Sequence, residues 1–153
     1  VISIMLNRNL QGLPSIIYGD GEQTRCFSYI DDCVSCLIKM GVDPNITRQI
    51  INIGPDEEVI TINKLAEICA NETGLNLPPI YYHEGRPQEV AHASCSSEKA
   101  RKILKYETNT NVLTAVKKTA DYIREKGVKE FDYHIPIEIV NKKTPRTWTQ
   151  QTI

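Results

Sequence analysis

Two segments of this 153-residue chain combine glycine with arginine in a way that suits an anion. Residues 16–25, Ile-Ile-Tyr-Gly-Asp-Gly-Glu-Gln-Thr-Arg, read as a short strand, a two-glycine turn and a second strand opening on Arg25. Glycine lets the main chain approach a ligand closely. A guanidinium can place two parallel hydrogen bonds on a phosphate. Residues 84–89, Glu-Gly-Arg-Pro-Gln-Glu, set Arg86 between a glycine and a proline, and the proline restrains the residue before it to extended geometry. Each segment alone reads better as a plain turn with a solvated arginine. Together they offer two cations that could neutralise a diphosphate from two sides.

Other constellations carry less. The turn at Gly19 and Gly21 is no Gly-x-Gly-x-x-Gly, because Thr24 and Arg25 stand where a third glycine would be needed. Cys33 and Cys36 form a Cys-x-x-Cys, but His83, His92 and His134 supply no second ligand pair at zinc spacing. Two small residues on a helix is the better reading. Asp31-Asp32 reads as a helix cap rather than a catalytic acid pair. Asp56-Glu57-Glu58 reads as a solvated turn, and the basic residues of 99–105 and 117–126 as exposed helix faces.

The elements that must position the arginines follow from periodicity. Residues 1–11 read as a helix with Val1, Ile4 and Met5 on its apolar face. Ser15–Tyr18 is a short strand, and residues 25–30 a second. A helix of about 32–40 presents Cys33, Val34, Leu37 and Ile38, with Asp31 as its cap and Gly41 at its end. Residues 49–53 form a strand. Thr61 caps a helix over 62–73 with a stripe of Ile62, Leu65, Ala66 and Cys69, closed by Gly74. A strand covers 80–82, a helix capped by Ser96 or Ser97 covers 97–105, and a last helix over 111–126 buries Val112, Val116, Ala120 and Ile123. Residues 1–127 are expected to form one lobe. Residues 128–153 form a tail whose Tyr133, Ile135, Ile137, Ile139, Val140 and Trp148 imply docking rather than disorder.

Composition bounds the function. Hydrophobic residues make up 41% and charged residues 24%, with a formal net charge of -1. That is ordinary for a globular domain and lacks the basic excess of a nucleic-acid binder. No apolar run approaches a membrane span. Five cysteines and no secretion signal point to reduced thiols and a cytoplasmic setting. A start at Val1 inside a helical run suggests a piece of a longer chain.

The segments IIYGDGEQTRCFSYIDD, EGRPQEV, INIGPDEEVITINKLAEICANETG and SSEKARKILKY, in that order, resemble the extended short-chain dehydrogenases of the NAD-dependent epimerase/dehydratase family, the UDP-glucose 4-epimerase-like group. The resemblance spans about residues 1–126. It implies an α/β fold: the C-terminal, substrate-binding lobe of a Rossmann-type enzyme, short strands with about five helices. It further implies that Arg25 and Arg86 contact a diphosphate. The backbone of Ile16 and Tyr18 would lie along the base, Phe27 near the nucleotide, and Glu89 at a ribose hydroxyl where relatives often have Asp. Cys26 departs from the Asp common at its place. The family holds NAD with a Gly-rich turn and does its chemistry with a Tyr-x-x-x-Lys pair. No such turn exists here, and Tyr122–Lys126 follows the substrate motifs rather than preceding them, so it reads as a chance match with Tyr122 packing.

The resulting expectation is a nucleotide-sugar-binding piece, UDP-linked, of an enzyme whose N-terminal Rossmann portion holds NAD. The chain itself would carry neither cofactor nor catalytic dyad. Epimerisation of a UDP-hexose at C4 leads, with UDP-glucuronate decarboxylation and 4,6-dehydration as alternatives. A non-catalytic binding or interaction module is the reading from another class. A homodimer is open, and neither nucleic acid nor membrane is expected as a partner.

Overall fold

The computed structural model describes residues 1–82, 84–86, 88–129, 140–144 and 146–151. Its elements in chain order are α1 (Ile2–Leu10), β1 (Ile16–Tyr18), β2 (Thr24–Arg25), α2 (Ile30–Val42), β3 (Ile60–Thr61), α3 (Ile62–Thr73), β4 (Ile80–Tyr82), β5 (His92–Ala93), α4 (Glu98–Leu104), α5 (Val112–Lys126) and α6 (Arg146–Gln150). This is the α/β mixture of short strands and helices that the sequence implies. The chain divides into two compact units.

The first unit comprises Val1–Gln23, Thr61–Ala91 and Val116–Ile153. α1 packs on α3, and β1 runs parallel to β4 with Ile16 opposite Ile80, Ile17 opposite Tyr81 and Tyr18 opposite Tyr82. Met5, Leu6, Ile17, Leu65, Ala66, Cys69, Val116 and Ala120 are buried here. Each large aliphatic side chain so buried contributes roughly 1.5–3 kcal/mol. α3 starts as its sequence requires: the Thr61 hydroxyl accepts from the Lys64 amide at 3.1 Å, and Gly74 ends the helix at φ 72°. α1 departs from expectation, since Val1 and Ile4 stay exposed while Leu6 and Asn9 turn inward. Asn9 shares a 3.2 Å hydrogen bond with Ser15, which ties the helix to the entrance of β1.

The second unit comprises Thr24–Ile60 and His92–Ala115. β2 pairs in parallel with β5, Arg25 opposite Ala93. Cys36, Ala100, Leu104 and Tyr106 form its core, with Met40, Ile46, Ile51, Ile53 and Ile103 packed against them. Several expectations fail here. The strand foreseen at 25–30 is confined to Thr24–Arg25, because the chain turns helical at Ile30 with Tyr29, not Asp31, as N-cap. α2 also runs past Gly41 to Val42, and it presents a different face: Asp32 and Cys36 are buried while Val34, Leu37 and Ile38 lie outside. The reason is polar. One oxygen of the Asp32 carboxylate accepts from the amides of Asn109 and Thr110 at 3.2 and 2.9 Å, the other from the Thr110 hydroxyl at 3.1 Å. Asp32 thus satisfies main-chain donors just before α5, and that attachment fixes the rotation of α2. Finally, residues 49–53 form no strand. Ile51 and Ile53 still pack on the core, Ile50 is 89% exposed, and the Ile50 carbonyl accepts from Lys99 Nζ.

The acidic run 56–58 is not a solvated turn. Asp56 accepts from the Ser97 amide at 2.8 Å and from Arg101 at 2.7 Å. Glu57 pairs with Arg101 and accepts from the Thr108 hydroxyl, and Glu58 accepts from the Val112 amide at 2.9 Å. Asp56 and Glu58 therefore cap the starts of α4 and α5, and Glu57 between them ties Arg101 to Thr108. Ser97 is the N-cap of α4, but its hydroxyl donates to the Gly54 carbonyl instead. Of the apolar tail residues, Tyr133, Ile135, Ile137 and Ile139 lie outside the described residues; Val140 and Trp148 are exposed.

Candidate functional site

In the first unit both glycine-rich loops belong to one corner of the structure. β1 ends at Tyr18 and delivers the turn Gly19-Asp20-Gly21, where Gly19 and Gly21 adopt φ 67° and 78°. β4 runs beside β1 and leads into the loop carrying Gly85 and Arg86. The two loops approach closely: a Cβ on Gly19 would sit 3.8 Å from the Gly85 Cα. The Arg86 guanidinium carbon lies 4.9 Å from the centroid of the Tyr18 ring, and its Nη2 donates to Glu89 Oε1 at 3.1 Å. The arginine is thus held by a ring below and a carboxylate beside it, while 44% of its side chain stays open to solvent. Such a fixed, exposed guanidinium is suited to fork onto an anion. Ile16 is half-buried within the β1–β4 ladder, and the Tyr18 carbonyl accepts from Gln23 Nε2 at 3.1 Å.

Sequence reasoning missed the residue that organises this turn. Asn63, in the first turn of α3, donates through Nδ2 to the Asp20 carbonyl at 2.9 Å and to Glu22 Oε1 at 2.6 Å. Its Oδ1 accepts from the Tyr81 hydroxyl at 3.1 Å, and its amide donates to the Gly21 carbonyl at 3.0 Å. A polar residue two places beyond a helix cap carries no signal of such a role.

Arg25 and Phe27 belong to the second unit. Arg25 Nη1 donates to its neighbour's carbonyl, Thr24, at 2.7 Å. Phe27 is half-buried in the irregular stretch between β2 and α2.

Thiol chemistry finds no support in the Cys-x-x-Cys. Cys36 is buried in the core, and burial raises the Cys33 thiol above its ordinary range, away from the thiolate that metals and disulfide exchange require. Burial pushes Cys69 up to about 12. All five cysteines are free. Among the described residues no group of three or more His, Cys, Asp or Glu could hold a metal ion, and no helix is long and apolar enough to cross a membrane.

Tyr122 is not a packing residue: it is 61% exposed on α5. Lys126 Nζ lies 5.9 Å from its ring centroid and pairs with Glu125 at 2.9 Å.

Residues 1–54 match the NAD dependent epimerase/dehydratase family. The chain is 28% identical over 131 residues to the UDP-N-acetyl-alpha-D-glucosaminuronate decarboxylase of Bacillus cytotoxicus, covering 82% of this chain and 40% of that protein. Among solved structures it resembles the UDP-glucose 4-epimerase of Thermotoga maritima with UDP-glucose, at 26% identity and a TM-score of 0.74, over 82% of this chain and 39% of that one. It also resembles Pal from Bacillus thuringiensis, at 32% identity and a TM-score of 0.74, with the same coverage. The chain therefore spans about two-fifths of the length of these relatives.

Proposed function

We propose that this chain, which belongs to the NAD-dependent epimerase/dehydratase family, is the part of a UDP-sugar enzyme that holds the nucleotide. The observation that carries the reading is the meeting of the Gly19–Gly21 turn and the Arg86 loop, with the guanidinium braced on the Tyr18 ring. In this reading the Arg86 guanidinium neutralises a phosphate of the diphosphate. The main chain at Ile16 and Tyr18 lies along the base, and Glu89 serves a ribose hydroxyl while bracing Arg86. Arg25 at the diphosphate and Phe27 near the nucleotide rest on the family resemblance alone.

The residues present do not fit NAD. The sequence has no Gly-rich dinucleotide turn, and Tyr122 with Lys126 is an exposed pair on a helix end. No hydride or proton transfer is assigned to them. In the parent enzyme a preceding Rossmann portion supplies NAD and the catalytic pair. Epimerisation of a UDP-hexose at C4 is the first choice of reaction, with decarboxylation of a UDP-uronic acid or 4,6-dehydration behind it. The names borne by the relatives, a decarboxylase and an epimerase, support the first two of these.

Calorimetric titration with UDP, UDP-glucose and UDP-glucuronate tests this. Binding of all three is expected, with loss on Arg25→Ala and Arg86→Ala together. Unchanged binding in the double variant sinks the site, and failure of the parent chain to bind any of the three sinks the function.

A further inference from the structure

The polar cluster around Asn63 is not used by the nucleotide reading, yet it touches the Gly19–Gly21 turn and the strand β4 that leads into the Arg86 loop. Its carboxamide is spent fully within the first unit: both Nδ2 acceptors belong to the turn, the Asp20 carbonyl and Glu22 Oε1, and the Oδ1 donor belongs to β4, the Tyr81 hydroxyl. The Asn63 amide takes the Gly21 carbonyl and the Ile62 amide the Gln23 carbonyl, at 3.0 and 3.1 Å. The start of α3 therefore grips the turn from Asp20 to Gln23 through main chain and side chain at once. Gly21 shows how close the grip is: any Cβ there would run into the Asn63 carboxamide. On the other side, Tyr81 is the residue of β4 next to Tyr82, whose partner in the ladder is Tyr18.

We infer that Asn63 is a positioning residue that couples the Gly19–Gly21 turn to β4, and so fixes the Tyr18 main chain and the Arg86 loop relative to each other before nucleotide arrives. A side amide is the group that can do this, because it must donate twice on one side and accept on the other. Pre-ordering of this kind lowers the cost of binding without touching the ligand. For its functional consequence the inference rests on the nucleotide reading above; the hold on the turn stands on geometry alone.

The test is Asn63→Asp, which keeps shape and helix but replaces both donations with a carboxylate facing Glu22. Two readouts are taken on the same chain: amide resonances and hydrogen exchange over residues 19–23, and affinity for UDP. The expected result is altered resonances and faster exchange at the turn, unchanged exchange in the Cys36–Leu104 core, and about tenfold weaker UDP binding. Adding Glu22→Gln returns a donor to the pair and is expected to recover part of both losses, which general destabilisation would not allow. Unchanged resonances over 19–23 would overturn the inference, as would a loosened turn that binds UDP with parental affinity. If the parent chain binds no UDP while the turn still loosens, the nucleotide reading fails and Asn63's hold on the turn is upheld.

Discussion

The Arg86 guanidinium lies over the ring of Tyr18, 4.9 Å from its centroid, although 68 positions separate the two in the sequence. The contact stabilises the fold by only about 0.5–1 kcal/mol at so exposed a site. Its value is orientational, since the ring and Glu89 hold the cation's plane. Arg86→Ala should therefore leave the melting temperature nearly unchanged and weaken UDP binding by roughly tenfold or more. Arg86→Lys should fall between, because an ammonium cannot fork. Paired melting and titration measurements check both. A large stability loss with intact binding would reassign Arg86 to structure.

Gly21 and Gly74 make a controlled comparison. Both have positive φ, at 78° and 72°, but a Cβ on Gly74 meets nothing within 4 Å while one on Gly21 collides with Asn63. Gly74→Ala should cost about 1 kcal/mol from left-handed strain alone. Gly21→Ala should cost clearly more and should perturb the turn. Equal losses in denaturant titrations would show that the turn yields freely.

Asp56 governs an acid-sensitive step in the second unit. The Arg101 guanidinium, then the Ser97 amide, lower its carboxyl from 3.8 to about 2. A depressed folded value means that the ionised form favours folding. The contribution is complete above pH 4 and drains away as pH falls through about 2. Asp56→Asn should destabilise the chain at pH 6, and the gap to the parent should close towards pH 2. A gap independent of pH would contradict this.

The outer face of α2 is apolar and bare: Ile30, Leu37, Ile38 and Val42 are 60%, 55%, 60% and 75% exposed. Such a stripe favours association. The isolated chain should self-associate on dilution-dependent sedimentation, and Leu37→Glu with Ile38→Lys should shift it towards monomer. No change in sedimentation would argue that this face is not the contact.

Much of the first unit was legible in sequence. The stripe Ile62, Leu65, Ala66 and Cys69 is buried as periodicity demands, and Gly74 closes α3 at positive φ. α5 likewise buries Val112, Val116, Ala120 and Ile123. α2 was misread because four apolar residues at helical spacing outweigh one aspartate in any pattern, while in the structure the aspartate's three hydrogen bonds decide the rotation. The run 56–58 was misread for the same reason: nothing local tells a solvated carboxylate from one that caps a helix about 40 to 55 positions away in the chain. The segment 49–53 has strand character, but a strand needs a neighbour, and none lies beside it among the described residues. Arg86 was found by its glycine and proline; its ring partner was not, because Tyr18 reaches it only through the parallel pairing of β1 and β4.

The most direct test of the central claim is to map UDP onto the chain by amide resonance perturbation. Saturable shifts are expected at residues 16–21 and 84–86, around the Gly19–Gly85 approach. Shifts confined to other surfaces, or none at saturating UDP, would contradict it.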